Sequence, residues 1–161
     1  MRSVEIRTKI KAPRDIVLNE ISEYTHPPIL HNWVIKSVTV FEDDGKVSTA
    51  LWHIKVFGIL SKATQRQVIR APDMMTNETI RGFSKGTLET TLLYETDEGT
   101  EIVDRVDVRI PIFGIFLETP VAWYTKRITE RILNDHKLDL ESRFAEAFNQ
   151  EAKTTAAGQA R

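Results

Sequence analysis

From Gly99 to Pro111 the chain alternates in character and then passes into one long amphipathic helix. That succession restricts the fold more than any other stretch. Thr100, Ile102, Val106, Val108 and Ile110 share one face of the strand, while Glu101, Arg105, Asp107 and Arg109 share most of the other. Such a strand is wet on one side and covered on the other. The helix that follows is expected from about Pro120 to about Phe148, with Thr119 as its N-cap. At 1.5 Å per residue it would run about 43 Å. A curved sheet covered by a single long helix can enclose a hollow instead of a solid core.

The helix carries two apolar stripes. Val121, Tyr124, Ile128 and Ile132 form the first, and Leu133, Leu140, Phe144, Ala147 and Phe148 the second. At 100° per residue the second is rotated by about a third of a turn. The two halves are therefore expected to cover different things: the first the hollow, the second the sheet edge and the short helices.

The rest of the chain supplies strands. Val4, Ile6, Thr8 and Ile10 alternate with Glu5, Arg7, Lys9 and Lys11. Ala12-Pro13-Arg14-Asp15 opens a short helix with Ile16, Val17, Ile21 and Tyr24 on its apolar side, and Pro27-Pro28 ends it and leaves room for one more turn. Strands follow over Trp33–Glu42, Val47–Phe57, Leu60–Arg70, Met74–Arg81 and Lys85–Thr96, and the turns between them include Asp43-Asp44-Gly45-Lys46 and Asp97-Glu98-Gly99. For the last hairpin a three-residue loop is expected, pairing Thr96 with Thr100, Leu92 with Asp104, and Leu88 with Val108. The pattern is an α+β domain of seven antiparallel strands, two short helices after the first strand, and a long C-terminal helix.

Composition narrows the function. A chain of 161 residues suits one domain, here 1–150, with a tail at 151–161 rich in Ala, Thr, Gly and Gln that is expected to fray. A net charge of −1 gives no basic excess of the kind general nucleic-acid binders carry, so no nucleic-acid partner is expected. The absence of cysteine excludes disulfides, thiolate metal sites and a cysteine nucleophile. No apolar run is long enough for stable membrane insertion and no signal-peptide core precedes the first strand, which makes the cytoplasm the default location.

Three pieces of sequence are similar to a known group of proteins. They are Lys11-Ala12-Pro13 with Asp15-Ile16-Val17, then Tyr24-Thr25-His26-Pro27 through Trp33-Val34 and Ser37-Val38, and finally Gly99-Thr100 with Asp104-Arg105-Val106 and Ile110-Pro111. With the order of elements they resemble the START-like, or SRPBCC, superfamily, which includes polyketide cyclases and birch-pollen-allergen-like proteins. The resemblance spans Val4 to Phe148. It implies a helix-grip fold, a curved seven-stranded sheet around the C-terminal helix, and a cavity between them. None of the three pieces is a catalytic signature, so they speak for the fold and leave the chemistry open.

Asp104 is the foremost candidate residue, since parity places it inward between Ile102 and Val106. It is either an anchor for a polar ligand head, or a general acid, or a buried carboxyl satisfied by a neighbouring hydroxyl or amide. Trp52, sharing a face with Ala50, Ile54 and Val56, either stacks on a ligand or fills core. Tyr94 and Tyr124 are candidate polar points, and Phe113, Phe116 and Leu117 border the expected mouth. The ligand-lining set is thus Trp52, Ile54, Leu92, Tyr94, Asp104, Val106, Val108, Phe116, Tyr124 and Ile128. His26, His31, His53 and His136 are scattered, with no carboxylate at metal-ligand spacing, so neither metal nor cofactor is expected.

The leading expectation is a binding or carrier protein for a hydrophobic or amphipathic small molecule: a lipid, a quinone or an aromatic polyketide-like compound. The alternative is a small cyclase, dehydratase or isomerase using the same cavity, with Asp104 as acid or base. A third reading is an interaction module, with Leu51, Leu93 and Val103 as an apolar patch on the outer sheet face. A monomer or weak dimer is expected.

Overall fold

The computed structural model describes the backbone of residues 2–111 and 114–159 and the side chains of 2–111 and 116–145. β1 (Arg2–Ile10) is followed by α1 (Arg14–Ser22) and α2 (Pro27–Leu30). Six strands come next: β2 (Ile35–Asp43), β3 (Val47–Val56), β4 (Ile59–Arg70), β5 (Met74–Gly82), β6 (Leu88–Thr96) and β7 (Gly99–Val108). α3 (Gly114–Gln159) closes the chain. The strands form one sheet in the order β1-β7-β6-β5-β4-β3-β2, with every pair antiparallel. This is the helix-grip architecture expected from the sequence. Register shifts within β2 and between β4 and β5 bend the sheet, since an extra residue on one strand turns it and strengthens its twist.

Local chemistry sets the corners. The Asp44 carboxylate accepts the amides of Lys46 and Val47 at 2.9 and 2.6 Å, fixing the β2–β3 turn. At the start of β7 two of the sequence pieces quoted above meet in space. The Thr100 hydroxyl donates to the Ala12 carbonyl at 2.8 Å. Gly99 has φ +139, and a Cβ built on it would lie 2.3 Å from the Ile10 carbonyl oxygen. Only glycine allows β7 to start this close to the end of β1.

The β6–β7 register differs from the expected one. Thr96 pairs with Gly99 across a two-residue loop, so Thr91 lies opposite Asp104 and Leu93 opposite Ile102. A one-residue difference exchanges the faces of β6. Glu89, Thr91 and Leu93 therefore point in. Leu92 and Tyr94 point out, and Tyr94 is 49% exposed. β6 offers leucines on both parities, so apolar count alone does not fix its face. The proposed outer patch is also corrected. Leu93 is core, Val103 is buried beside Leu92 and Arg7 in the ladder, and Leu51 is half-buried.

α3 begins six residues earlier than expected, at Gly114, with Pro120 inside it. Proline removes one i→i−4 hydrogen bond there. Offsetting this, Leu117 packs beside Val106, Val108, Ile110, Val121 and Ala122. Phe113, Ala147 and Phe148 lie outside the described side chains. The division of labour along α3 is as expected. Leu133, Leu140 and Phe144 pack into a core with Ile6, Ile10, Val17, Leu18 and Ile102, while Val121, Tyr124, Ile128 and Ile132 face a hollow under the sheet.

Candidate functional site

The hollow between the inner sheet face and the first half of α3 has a volume of about 270 Å³ and is partly open to solvent. One water needs roughly 10–15 Å³ of such space, so the hollow has room for a small organic molecule. Its walls are mostly apolar: Trp52, Ile54 and Val56 from β3, Val106 and Val108 from β7, and Val121, Ile128 and Ile132 from α3. Its floor is polar. Gln65, Gln67, Asn77, Thr79, Glu89, Thr91 and Asp104 come from four adjacent strands, β4 to β7, all on the inner face.

Asp104 is 2% exposed and accepts a hydrogen bond from the Thr91 hydroxyl at 2.8 Å. Burial raises its pKa well above the usual carboxylate range, and the negative charge of Glu89 adds to that rise; the Thr91 hydrogen bond opposes it. Glu89, half-buried one ladder step away, accepts from the Asn77 amide at 2.9 Å. Two carboxyl groups thus share one wall of an apolar hollow. Burial and the neighbouring carboxyl both favour the protonated form of Asp104.

A second polar chain crosses the opposite side. The Tyr24 and Ser48 hydroxyls are 2.6 Å apart, Ser48 donates to Gln67 Oε1 at 3.4 Å, and Gln67 Nε2 donates to the Met75 sulfur at 3.1 Å. Burial raises the Tyr24 pKa, so the phenol stays protonated. The Tyr24 ring meets the Trp52 ring edge-on at 5.7 Å, and the Trp52 indole N–H is buried without a partner among the described residues. Tyr124 donates to the Lys55 carbonyl at 3.2 Å and stacks on Phe57 at 4.2 Å between centroids.

Of the residues chosen from sequence, the structure brings Trp52, Ile54, Asp104, Val106, Val108, Tyr124 and Ile128 to the hollow. It leaves three aside. Leu92 and Tyr94 lie on the far side of the sheet for the register reason given above. Phe116, 88% exposed on the first turns of α3, does not line the hollow. Sequence reasoning missed Glu89, Asn77, Gln65, Gln67 and Thr91. Placing Thr91 opposite Asp104 would have exposed the first of these, because Glu89 shares its parity.

The histidines are not scattered in space. His31 Nε2 and His136 Nε2 are 3.1 Å apart, and the His26 and His136 rings meet edge-on at 5.2 Å. His31 is held at its other nitrogen by Asp135 at 3.3 Å, and Trp33 donates to the same Asp135 oxygen at 3.1 Å. Burial, reinforced by the neighbouring His31, His26 and Arg143, takes His136 down to about 3, so its ring is neutral. His53 stands apart from the other three, half-buried against the Ser37 hydroxyl at 2.7 Å. No sequence spacing joins residues 26 and 31 to residue 136; only the docking of α3 on the short helices does so.

No protein-family model and no curated protein matches the chain. Solved structures do. The protein TTHA0849 from Thermus thermophilus superposes with a TM-score of 0.75 at 17% identity, over 88% of this chain and 99% of that one. The Zhui aromatase/cyclase from Streptomyces sp. R1128 gives 0.75 at 16% identity, over 89% and 95%. A START superfamily protein from Mycobacterium smegmatis gives 0.65 at 14%, over 90% and 98%. Identities this low speak to architecture: the chain shares the fold of these structures.

Proposed function

We propose that the chain binds a small amphipathic molecule in the hollow, with its apolar body against Trp52, Ile54, Val106, Val108, Tyr124 and Ile128 and its polar end on the Asp104–Glu89 wall. The observation that carries this reading is the composition of the hollow: apolar walls around one carboxyl-bearing floor. Burial of apolar ligand surface would contribute about 25 cal/mol per Å². The protonated carboxyl, the Asn77 amide and the Trp52 N–H would select a head group rich in acceptors, as in a quinone or an aromatic polyketide-like compound. Residues 1–150 act as one ligand-binding unit in this reading, a monomer or weak dimer without a nucleic-acid partner.

Native mass spectrometry of gently purified protein, with extraction of whatever it carries, tests the proposal. A bound organic molecule, or micromolar binding of the neutral probe N-phenyl-1-naphthylamine competed by an anthraquinone, supports it. Failure of both apolar and quinone probes to bind overturns it.

One observation favours catalysis as a second reading. Asp104 points inward with a hydroxyl partner and a second carboxylate beside it, which is the arrangement an acid–base pair requires. A cyclase or dehydratase would use the protonated Asp104 as acid, with Glu89 beside it. Loss of one water mass from a bound polyketone, abolished in both Asp104→Asn and Glu89→Gln, would identify it. Unchanged ligand after prolonged incubation would leave carriage as the function.

A further inference from the structure

Where α1, the segment before α2, and α3 meet, three ligand-type atoms converge: Glu20 Oε1, His26 Nε2 and His136 Nδ1, all within 4.8 Å of one another. The His26 nitrogen lies 3.4 Å and the His136 nitrogen 3.9 Å from that carboxylate oxygen. Both ring nitrogens are buried, and among the described residues neither has a hydrogen-bond partner. Orphaned buried polar atoms are rare, and two aimed at one oxygen require a reason.

The surrounding hydrogen bonds fix the tautomers. An ionised carboxylate only accepts, so His31 Nδ1 carries the proton facing Asp135 at 3.3 Å, and His31 Nε2 is left with a lone pair. That lone pair accepts from His136 Nε2–H at 3.1 Å, which leaves the His136 Nδ1 lone pair turned toward Glu20. His26 Nδ1 faces Glu23 at 3.3 Å, which orients the ring so that Nε2 points at Glu20 at 3.4 Å. Three ligand-type atoms therefore face one point, each imidazole oriented by an outer partner, as metal-bound histidines are.

We propose that Glu20, His26 and His136 bind a divalent transition-metal ion, zinc above all. Tetrahedral ligation with bonds of about 2.0–2.1 Å places ligand atoms roughly 3.4 Å apart. The Glu20–His26 separation already meets that value, the Glu20–His136 separation needs a contraction of about half an ångström, and the two histidine nitrogens lie within 4.8 Å. Imidazole and carboxylate are ligands zinc accepts. Arg143 pairs with the other Glu20 oxygen and with Asp139. It opposes a cation, but Glu20, Glu23, Asp135 and Asp139 outnumber it around the cluster. Three protein ligands leave one position for water. His136 also lines the hollow, so the ion would brace one end of the ligand site.

The test uses the tag-free full chain, stripped with a chelator and titrated with zinc chloride by calorimetry. One zinc per chain is expected, with affinity falling roughly tenfold or more in His26→Gln and unchanged in the control His53→Gln. Cobalt(II) added to the unmutated chain gives a second reading that needs no variant. The intense visible bands of a four-coordinate ion support the site, and the faint spectrum of the hexa-aquo ion overturns it. Zinc affinity unaffected by His26→Gln would equally overturn it. None of these outcomes depends on what the hollow binds.

Discussion

Asp104 is buried where its charged form is disfavoured twice, by the loss of water and by Glu89. The consequence for stability has a definite sign. With a folded-state pKa above the unfolded value of about 3.9, the native chain keeps a proton that the unfolded chain has released. Stability therefore falls as pH rises from about 4 through the folded pKa. Asparagine keeps the Thr91 contact and never titrates. Asp104→Asn is expected to be more stable than the unmutated chain at pH 8, by on the order of 1 kcal/mol, and to lose that advantage near pH 4. Urea unfolding curves at the two pH values read this directly. Equal midpoint shifts at both would show that folding leaves the Asp104 pKa at its unfolded value and would overturn this reading. Thr91→Val removes the only hydrogen bond described for the Asp104 carboxyl from a hydroxyl, and is expected to cost about 1–2 kcal/mol at pH 8 and less in acid.

At the scale of elements, β7 starts with its backbone close against the end of β1. Gly99→Ala forces a Cβ into the Ile10 carbonyl and keeps a φ that side chains avoid. It is expected to destabilise by about 2–4 kcal/mol, while Gly45→Ala, open around its Cβ position, costs less despite a similar backbone constraint. Thermal unfolding of the two variants gives the comparison. The element level is also where sequence and structure parted most. The alternation of β7 made its inward face, Asp104 included, legible, because one parity is plainly apolar. β6 was not legible. Its more apolar parity, Leu88, Leu92 and Tyr94, faces outward, and the parity with Glu89 and Thr91 faces the hollow. The rule that apolar side chains turn inward assumes a packed core, and a cavity floor breaks it.

For the molecule as a whole, α3 does two jobs with one helix, and the two should respond differently to substitution. Leu140 is 1% exposed in the core against β1 and β7, so Leu140→Ala is expected to cost about 3–4 kcal/mol by leaving a void. Ile128 borders a void already. Ile128→Trp fills it, and is expected to abolish N-phenyl-1-naphthylamine binding while leaving the unfolding midpoint within about 1 kcal/mol of the parent. Retained probe binding in that variant would move the binding site elsewhere.

The sequence by itself determined the order of elements, the curved seven-stranded sheet, the two stripes of α3 and most of the apolar wall. These are written in local periodicity, which a chain carries before it folds. The start of α3 was lost to Pro120, because a favourable first-turn residue is also tolerated further in when neighbouring side chains pack. The carboxyl pair of Asp104 and Glu89 depends on which rung of the ladder pairs with which, and the cluster of Glu20, His26 and His136 on how a helix lands a hundred residues later. Only the tertiary structure decided those, since neither contact leaves a period or a spacing along the chain.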